Sequence, residues 1–252
     1  MTASLQPWIK CFHARPDARV RLICFPFAGG SASTYQTWHK GIGRYIEVWA
    51  VQPPGREERF REPPLSSRSL FIRTLADVLV PNLTKPFAMF GHSLGAGLAF
   101  ELTRELRRRG ARGPEHLFLS ARRAPHLSPR RKVALYDLPE EEFVAQIRAY
   151  KGTPAAVLEN AELMALFLPT LRADFGLGEI EPFIEERPID CPIAALGGVR
   201  DEWVSTADIE LWRAHTTGAF SRQLFPGDHF YLNTLSKMLF EVFDAHLSRF
   251  AR

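Results

Sequence analysis

Cysteine is scarce in this chain, three residues in 252. Cys11, Cys24 and Cys191 have neither metal-ligand spacing nor the even count of a disulfide framework. That excludes a zinc module and a disulfide-stapled scaffold. Cys24 and Cys191 sit in or beside apolar runs and read as buried thiols, which fits a reducing compartment. No apolar run approaches the roughly 18 residues a membrane span requires. The opening MTASLQPWIKCFHARPD lacks the apolar segment of a secretion signal. A cytoplasmic protein without a membrane partner is therefore expected. The phosphate-loop spacing GxxxxGK[ST] and the dinucleotide fingerprint GxGxxG are both missing. So are internal repeats and low-complexity segments.

What is present is an ordinary globular composition, 46% hydrophobic and 24% charged, long enough for a single domain spanning residues 1–252. The net charge is +4. Basic residues cluster in RELRRRGAR (104–112), in ARR (Arg122, Arg123) and in PRRK (130–132). Such clusters suit nucleic acid or an acidic protein, but a solvated helix end and a solvated loop explain them more simply. No nucleic-acid motif accompanies them, and no nucleic-acid partner is expected.

Short apolar runs punctuate the chain: VRLICFPF (20–27), IEVWAVQPPG (46–55), KPFAMFGH (85–92), EHLFLSA (115–121), CPIAALGG (191–198) and FSRQLFPG (220–227). Each reads as a buried strand ending in a loop. Helical patterns separate them. Leu94, Leu98, Leu102 and Leu106 recur every fourth residue, with Gly110 as the natural stop. A last helix is expected from about Tyr231 to Phe250. Buried strands alternating with helices predict an α/β fold, a mostly parallel sheet covered on both faces.

From about residue 124 to 187 the alternation breaks and only helical patterns appear. DLPEEEFVAQIRAY opens with a proline suited to a first helical turn and keeps Phe143, Ile147 and Tyr150 on one face. AELMALFLPTLRADF places Leu163, Phe167, Leu171 and Phe175 four apart, with Pro169 kinking or splitting the helix. A helical insertion between late strands predicts a cap over the sheet's carboxyl edge, where such folds bind ligands.

GHSLG (91–95) fits Gly-x-Ser-x-Gly, a weak signal alone. Its position sharpens it, because Ser93 falls where a buried strand turns directly into a helix, the setting of a nucleophile elbow. A serine hydroxyl needs a base at neutral pH. Of eight histidines, His229 in FPGDHFYL lies just beyond the last strand and can reach the same edge. His92 is read as structural. His13, His39, His116, His126, His215 and His246 are read as surface or packing residues. The imidazole needs an acid to fix its tautomer. Asp201 follows the strand 191–198 by a short loop; Asp228 adjoins His229 too closely, and Asp190 lies at the wrong end of its strand. Ser93, Asp201, His229 is the chain order of α/β-hydrolases. An oxyanion hole is expected from the N–H of Leu94 and one N–H of the loop FAGGS, for which Ala28 is chosen. An ordinary glycine turn is the alternative for that loop.

FPFAGGSAS, VQPPGREERF, FGHSLGA, LFLSARRAP, LPTLRADF and PGDHFYL, in this order, resemble the type II thioesterases. These are the stand-alone editing hydrolases of nonribosomal peptide and polyketide synthesis. The resemblance spans nearly the whole chain. It implies an α/β-hydrolase fold with Ser93 as nucleophile, His229 as base, Asp201 as acid, and Ala28 and Leu94 at the oxyanion hole. It implies that the insertion is a mobile lid. It further implies action on acyl or aminoacyl thioesters borne by the phosphopantetheine arm of acyl or peptidyl carrier proteins. No cofactor of its own and a monomeric state are expected. AYKGTP stands where a double glycine is common, and GGVRD lacks an acidic residue often found two positions before the aspartate. A siderophore pathway of the pyochelin kind is a guess from overall likeness. The same triad would serve a carboxylesterase, a lipase or an acyltransferase, and a catalytically silent binding module is the alternative from another class.

Overall fold

The protein is represented by a computed structural model that describes residues 5–128, 133–153 and 155–251. Its strands and helices run β1 (Ile9–Lys10), β2 (Val20–Phe25), β3 (Ile46–Val51), α1 (Arg68–Leu79), β4 (Phe87–His92), α2 (Leu94–Arg108) and β5 (Leu117–Ser120). There follow α3 (Glu140–Tyr150), α4 (Ala155–Leu158), α5 (Ala161–Glu179), β6 (Ile193–Gly198), α6 (Thr206–Glu210), β7 (Phe220–Phe225) and α7 (Ser236–Leu247). The strands form one sheet in the order β1-β3-β2-β4-β5-β6-β7. Every pairing from β3 to β7 is parallel, and only the two-residue β1 runs antiparallel, along the β3 edge.

The six expected strands are all present, each shorter than its apolar run. Their side chains alternate between two cores. Phe87 and Met89 of β4, with Leu117 and Leu119 of β5, face the core under α1 and α2. Ala88, Phe90 and Phe118 face the other, built around Tyr35, Trp38 and the Leu239, Phe243 and Leu247 face of α7. Because both faces are covered, the central strands are mostly apolar on both faces, with a few buried polar residues such as Glu47, His92 and Ser120, rather than alternating with polar residues.

Helix α2 buries Leu94, Leu98, Leu102 and Leu106 as its spacing predicts. It ends in a Schellman turn: Gly110, at φ +62°, donates to the Arg107 carbonyl, and Ala111 donates to the Leu106 carbonyl. The region between β5 and β6 is helical, with its own apolar cluster of Leu135, Phe143, Ile147, Met164, Leu168 and Leu171.

Of the two outcomes open for Pro169, splitting does not occur: α5 runs unbroken from Ala161 to Glu179. Two expectations are corrected. The buried stripe of α5 is Met164, Leu168 and Leu171, while Leu163 and Phe167 are exposed. Pro139 caps α3 instead of standing within its first turn. The helical carboxyl terminus expected from about Tyr231 to Phe250 is present as α7 (Ser236–Leu247) with short 3-10 turns at Tyr231–Asn233 and Ser248–Phe250. Strand β1 and helices α1 and α6 are additional to the predicted elements.

The basic cluster at 104–112 is in part the expected solvated helix end, with Arg108, Arg109 and Arg112 exposed, and in part an ion-pair network. Arg104 is buried and paired with Glu101 and Glu186. Arg107 also binds Glu186, Arg108 and Arg109 share Glu105, Arg109 reaches Asp77, and Arg112 reaches Glu115. The positive field of this segment is largely cancelled by its own neighbours. Arg130 to Lys132 lie outside the described residues.

Candidate active site

The site grows from the carboxyl ends of four strands. At the end of β4 the chain must turn into α2 with almost no room. A Cβ on Gly91 would lie 2.1 Å from the Gly95 carbonyl oxygen, and one on Gly95 would lie 2.2 Å from that of Phe25. Only glycine permits both approaches. Between them Ser93 adopts φ 53° and ψ −113°, a conformation that costs a non-glycine residue about 1–3 kcal/mol. Its N–H is tied to the Ser120 carbonyl at 2.8 Å. The strain is held by the surrounding packing and lifts the hydroxyl off the sheet at the first turn of α2.

Beyond β6 and β7 the two strands stay zipped: Val199 donates to the Phe225 carbonyl, and Arg200 to that of Gly227, both at 2.9 Å. Gly198 lets the His229 loop approach closely, since a Cβ there would meet the Asp228 carbonyl oxygen at 2.3 Å. Asp201 and His229 are thereby brought together, and His229 Nδ1 lies 2.8 Å from Asp201 Oδ2. The other carboxylate oxygen, Oδ1, accepts the N–H groups of Trp203 and Val204 at 2.8 and 3.1 Å. An acceptor-only carboxylate on Nδ1 places that ring's remaining lone pair on Nε2. Nε2 is buried and has no hydrogen-bond partner among the described residues.

Ser93 and His229 line one cleft, together with Ala28 and Leu94. In this conformation Ser93 Oγ makes no hydrogen bond to Nε2; such contacts commonly tighten only with substrate bound. As the first residue of α2, Leu94 has an N–H without an intrahelical acceptor. The N–H of Ala28 likewise has no acceptor among the described residues. Apolar and aromatic side chains form much of the remaining wall, notably Phe27, Ile147, Tyr150, Leu171, Phe175 and Phe230, and Arg122, Thr153, Asp174 and Glu179 add polar and charged groups. Helices α3 and α5 thus supply one side of the cleft.

The other histidines and acids fall where expected. His92 is fully buried, with Nδ1 2.8 Å from Ser120 Oγ, which in turn meets the Tyr231 hydroxyl at 2.6 Å. Burial holds its imidazole well below the ordinary range, so it stays neutral. Asp228 accepts the Phe230 N–H instead of turning to His229. Cys24 and Cys191 are buried and unpaired. Two residues that sequence reasoning passed over also bear on the site. Arg56 and Asp174 form a buried ion pair, and Gly29 donates its N–H to Asp174. Their signal was their place inside VQPPGREERF and LPTLRADF.

Comparison with known proteins decides the family. The thioesterase domain model matches residues 20–247. The chain belongs to the thioesterase family. It is a thioester hydrolase, and its mostly parallel seven-stranded sheet is that of the α/β-hydrolase fold. This thioesterase is similar to the type II thioesterase BorB from the borrelidin biosynthetic cluster, at 36% identity and a TM-score of 0.86 over 98% of this chain and 99% of that one. It is similar to YbtT, a type II thioesterase from the yersiniabactin NRPS/PKS biosynthetic pathway, at 30% identity and a TM-score of 0.86 over 96% and 99%. A Brevibacillus parabrevis protein named linear gramicidin dehydrogenase LgrE is 40% identical over 246 residues, 96% of this chain and 93% of that one. That name specifies a different chemistry, for which the present thioesterase carries no dinucleotide fingerprint. Among its described residues no helix is long and apolar enough to cross a membrane.

Proposed function

We propose that this thioesterase clears misprimed or stalled acyl and aminoacyl groups from the phosphopantetheine arms of carrier proteins in a nonribosomal peptide or polyketide assembly line. Ser93 is the nucleophile, His229 the general base and Asp201 the acid that orients it. His229 Nε2 takes the Ser93 proton as Oγ attacks the thioester carbonyl. The N–H groups of Ala28 and Leu94 receive the oxyanion, each such donor lowering the barrier by about 3 kcal/mol. Collapse of the tetrahedral intermediate expels the pantetheine sulfur, which takes the proton held on His229 Nε2 and leaves as the thiol, returning the imidazole to its neutral form. A water deprotonated by His229 then attacks the acyl-serine and releases the acid. A thiol ionises near pH 8.5, so its departure demands less protonation than an amine's. The base and the oxyanion hole are therefore the demanding parts.

One observation carries this reading: His229, locked to Asp201 at 2.8 Å and with its other nitrogen buried and without a hydrogen-bond partner among the described residues, lines the same cleft as the strained Ser93. No cofactor is needed, because the pantetheine arrives with the substrate. One chain supplies every group, so a monomer suffices. The helices between β5 and β6 act as the lid. Unpaired buried thiols fit a cytoplasmic setting. The 104–112 cluster gives little attraction for acidic carrier proteins, since its arginines are already paired with acids.

Purified protein offered a panel of acyl-loaded carrier proteins should release free thiol. Ser93→Ala should reduce release to background, and a mutant keeping most of it sinks the nucleophile assignment. A strong preference for an oxygen ester over the thioester of the same acyl chain would instead mark a carboxylesterase.

A further inference from the structure

Helix α5 reaches into the loop that follows β2 through one buried ion pair. Arg56 grips Asp174 with both nitrogens of its fork, Nη1 to Oδ2 and Nη2 to Oδ1, each at 2.7 Å. The side chains are 5% and 2% exposed. Arg56 Nη1 also donates to the Gly30 carbonyl at 2.8 Å, and Asp174 Oδ2 accepts the Gly29 N–H at 2.7 Å. Burying two charges costs several kcal/mol per ion, and an apolar pair of the same volume often serves stability as well. Stability alone therefore does not account for this pair. Its contacts with the loop backbone do.

The loop 27–30 is a turn closed by the Gly30 N–H on the Phe27 carbonyl at 2.8 Å, with Gly29 at φ +79°. These are the marks of a type II turn, whose middle peptide can flip to the type I form. That middle peptide joins Ala28 to Gly29. Its N–H is the one Asp174 holds, so the carboxylate selects one of the two orientations. In the flipped form the Ala28 carbonyl would face the wall that Asp174 contributes to the cleft. A carbonyl dipole aimed there opposes an oxyanion, whereas the observed turn keeps it away and fixes the adjacent Ala28 N–H. Arg56 also neutralises a carboxylate that would otherwise sit uncompensated beside developing negative charge.

We propose that Arg56 and Asp174 are positioning residues for the oxyanion hole, so that the hole is complete only while α5 is seated on the β2 loop. The inference rests on the Ser93 and Ala28 roles proposed above.

Three readings test it: kcat and KM on one acyl thioester, affinity for a trifluoromethyl ketone that forms an oxyanionic adduct with Ser93, and affinity for the matching unreactive amide. Asp174→Asn should lower kcat and ketone affinity together by about 10²–10³-fold, with KM and amide affinity within about threefold of wild type. Arg56→Lys, which keeps the cation and loses the fork, should move both in the same direction by a smaller factor. Thr170→Val cuts the other hydrogen bond from α5 to this region, Thr170 Oγ1 to the Gly55 carbonyl at 2.8 Å, and should leave ketone affinity unchanged. Ketone affinity preserved in Asp174→Asn and Arg56→Lys, or amide and ketone affinity lost equally, overturns the inference. Should Asp174→Asn fail to fold by thermal unfolding, Arg56→Lys decides alone. A wild-type protein that forms no ketone adduct overturns the Ser93 assignment itself, and the inference with it.

Discussion

Asp201 divides its two oxygens between two tasks, and one substitution separates them. Oδ1 holds the loop through Trp203 and Val204, while Oδ2 holds His229. In Asp201→Asn the amide oxygen can keep the loop bonds, leaving the NH2 group to face Nδ1. That donor forces the proton onto Nε2, where a hydrogen prevents the ring from accepting one from Ser93. The expected outcome is a kcat lowered by about 10⁴ with a melting temperature close to wild type, measured by steady-state thiol release and thermal unfolding. A loss under tenfold would mean that Asp201 does not set the tautomer. At this scale Ser93, Asp201 and His229 were legible because each follows a recognisable strand and their order is informative. Arg56 and Asp174 were not, for they lie 118 positions apart and each alone looks like one more surface charge. Only the folded chain shows that they share a buried contact.

The elbow between β4 and α2 shows how differently two glycines of one helix act. Alanine is favoured over glycine in a helix by about 1 kcal/mol. At Gly97 nothing opposes that gain, since a Cβ would meet Arg122 side-chain atoms at 3.7–3.9 Å, an ordinary contact. Gly97→Ala should therefore raise stability by about 0.5–1 kcal/mol, some 1–4 °C for a chain of this size. At Gly95 the Cβ would lie 2.2 Å from the Phe25 carbonyl oxygen, with both partners fixed in a strand and a helix. Overpacking by one methyl typically costs about 1–3 kcal/mol, so Gly95→Ala should lower the melting temperature despite the better helix former. Equal shifts in the two variants would contradict the close approach. The strands and α2 were readable because their apolar patterns admit one period. The phase of α5 was not: Leu163, Met164, Leu166, Phe167 and Leu168 crowd its first half, and such a helix offers no unique stripe until a neighbour chooses one. Helix α1 carries readable signs, Ser67 accepting the Leu70 N–H and Phe71, Ile72, Leu75 and Leu79 on one buried face, yet lies outside the predicted alternation.

Across the whole molecule, charge is arranged for folding more than for outward display. The arginines of α2 are spent on nearby acids, while several imidazoles are buried without any. Desolvation pushes His116 down to about 3 and His215 down to about 4, with nearby His246 and His126 adding to the effect. His92 is held low by burial next to His229, and His246 is lowered by burial as well. In the unfolded chain these same rings titrate near 6.5. The unfolded state therefore binds more protons than the native state from about pH 6.5 down to the depressed native values, and stability must fall as pH falls through that window. Each histidine contributes up to about 1.4 kcal/mol per pH unit once its unfolded form is protonated. Paired carboxylates such as Glu62 and Glu186, also held low in the native state, add their own loss only near and below pH 4.5. Between pH 7 and 5 the slope belongs to the imidazoles. Urea midpoints measured across that range should drop steadily. His116→Gln should remove about 1.4 kcal/mol per pH unit of that slope near pH 5, because the unfolded variant has one proton fewer to gain. A flat profile between pH 7 and 5 would show that the native protein admits protons to these rings, and that they are less desolvated than the packing around them requires.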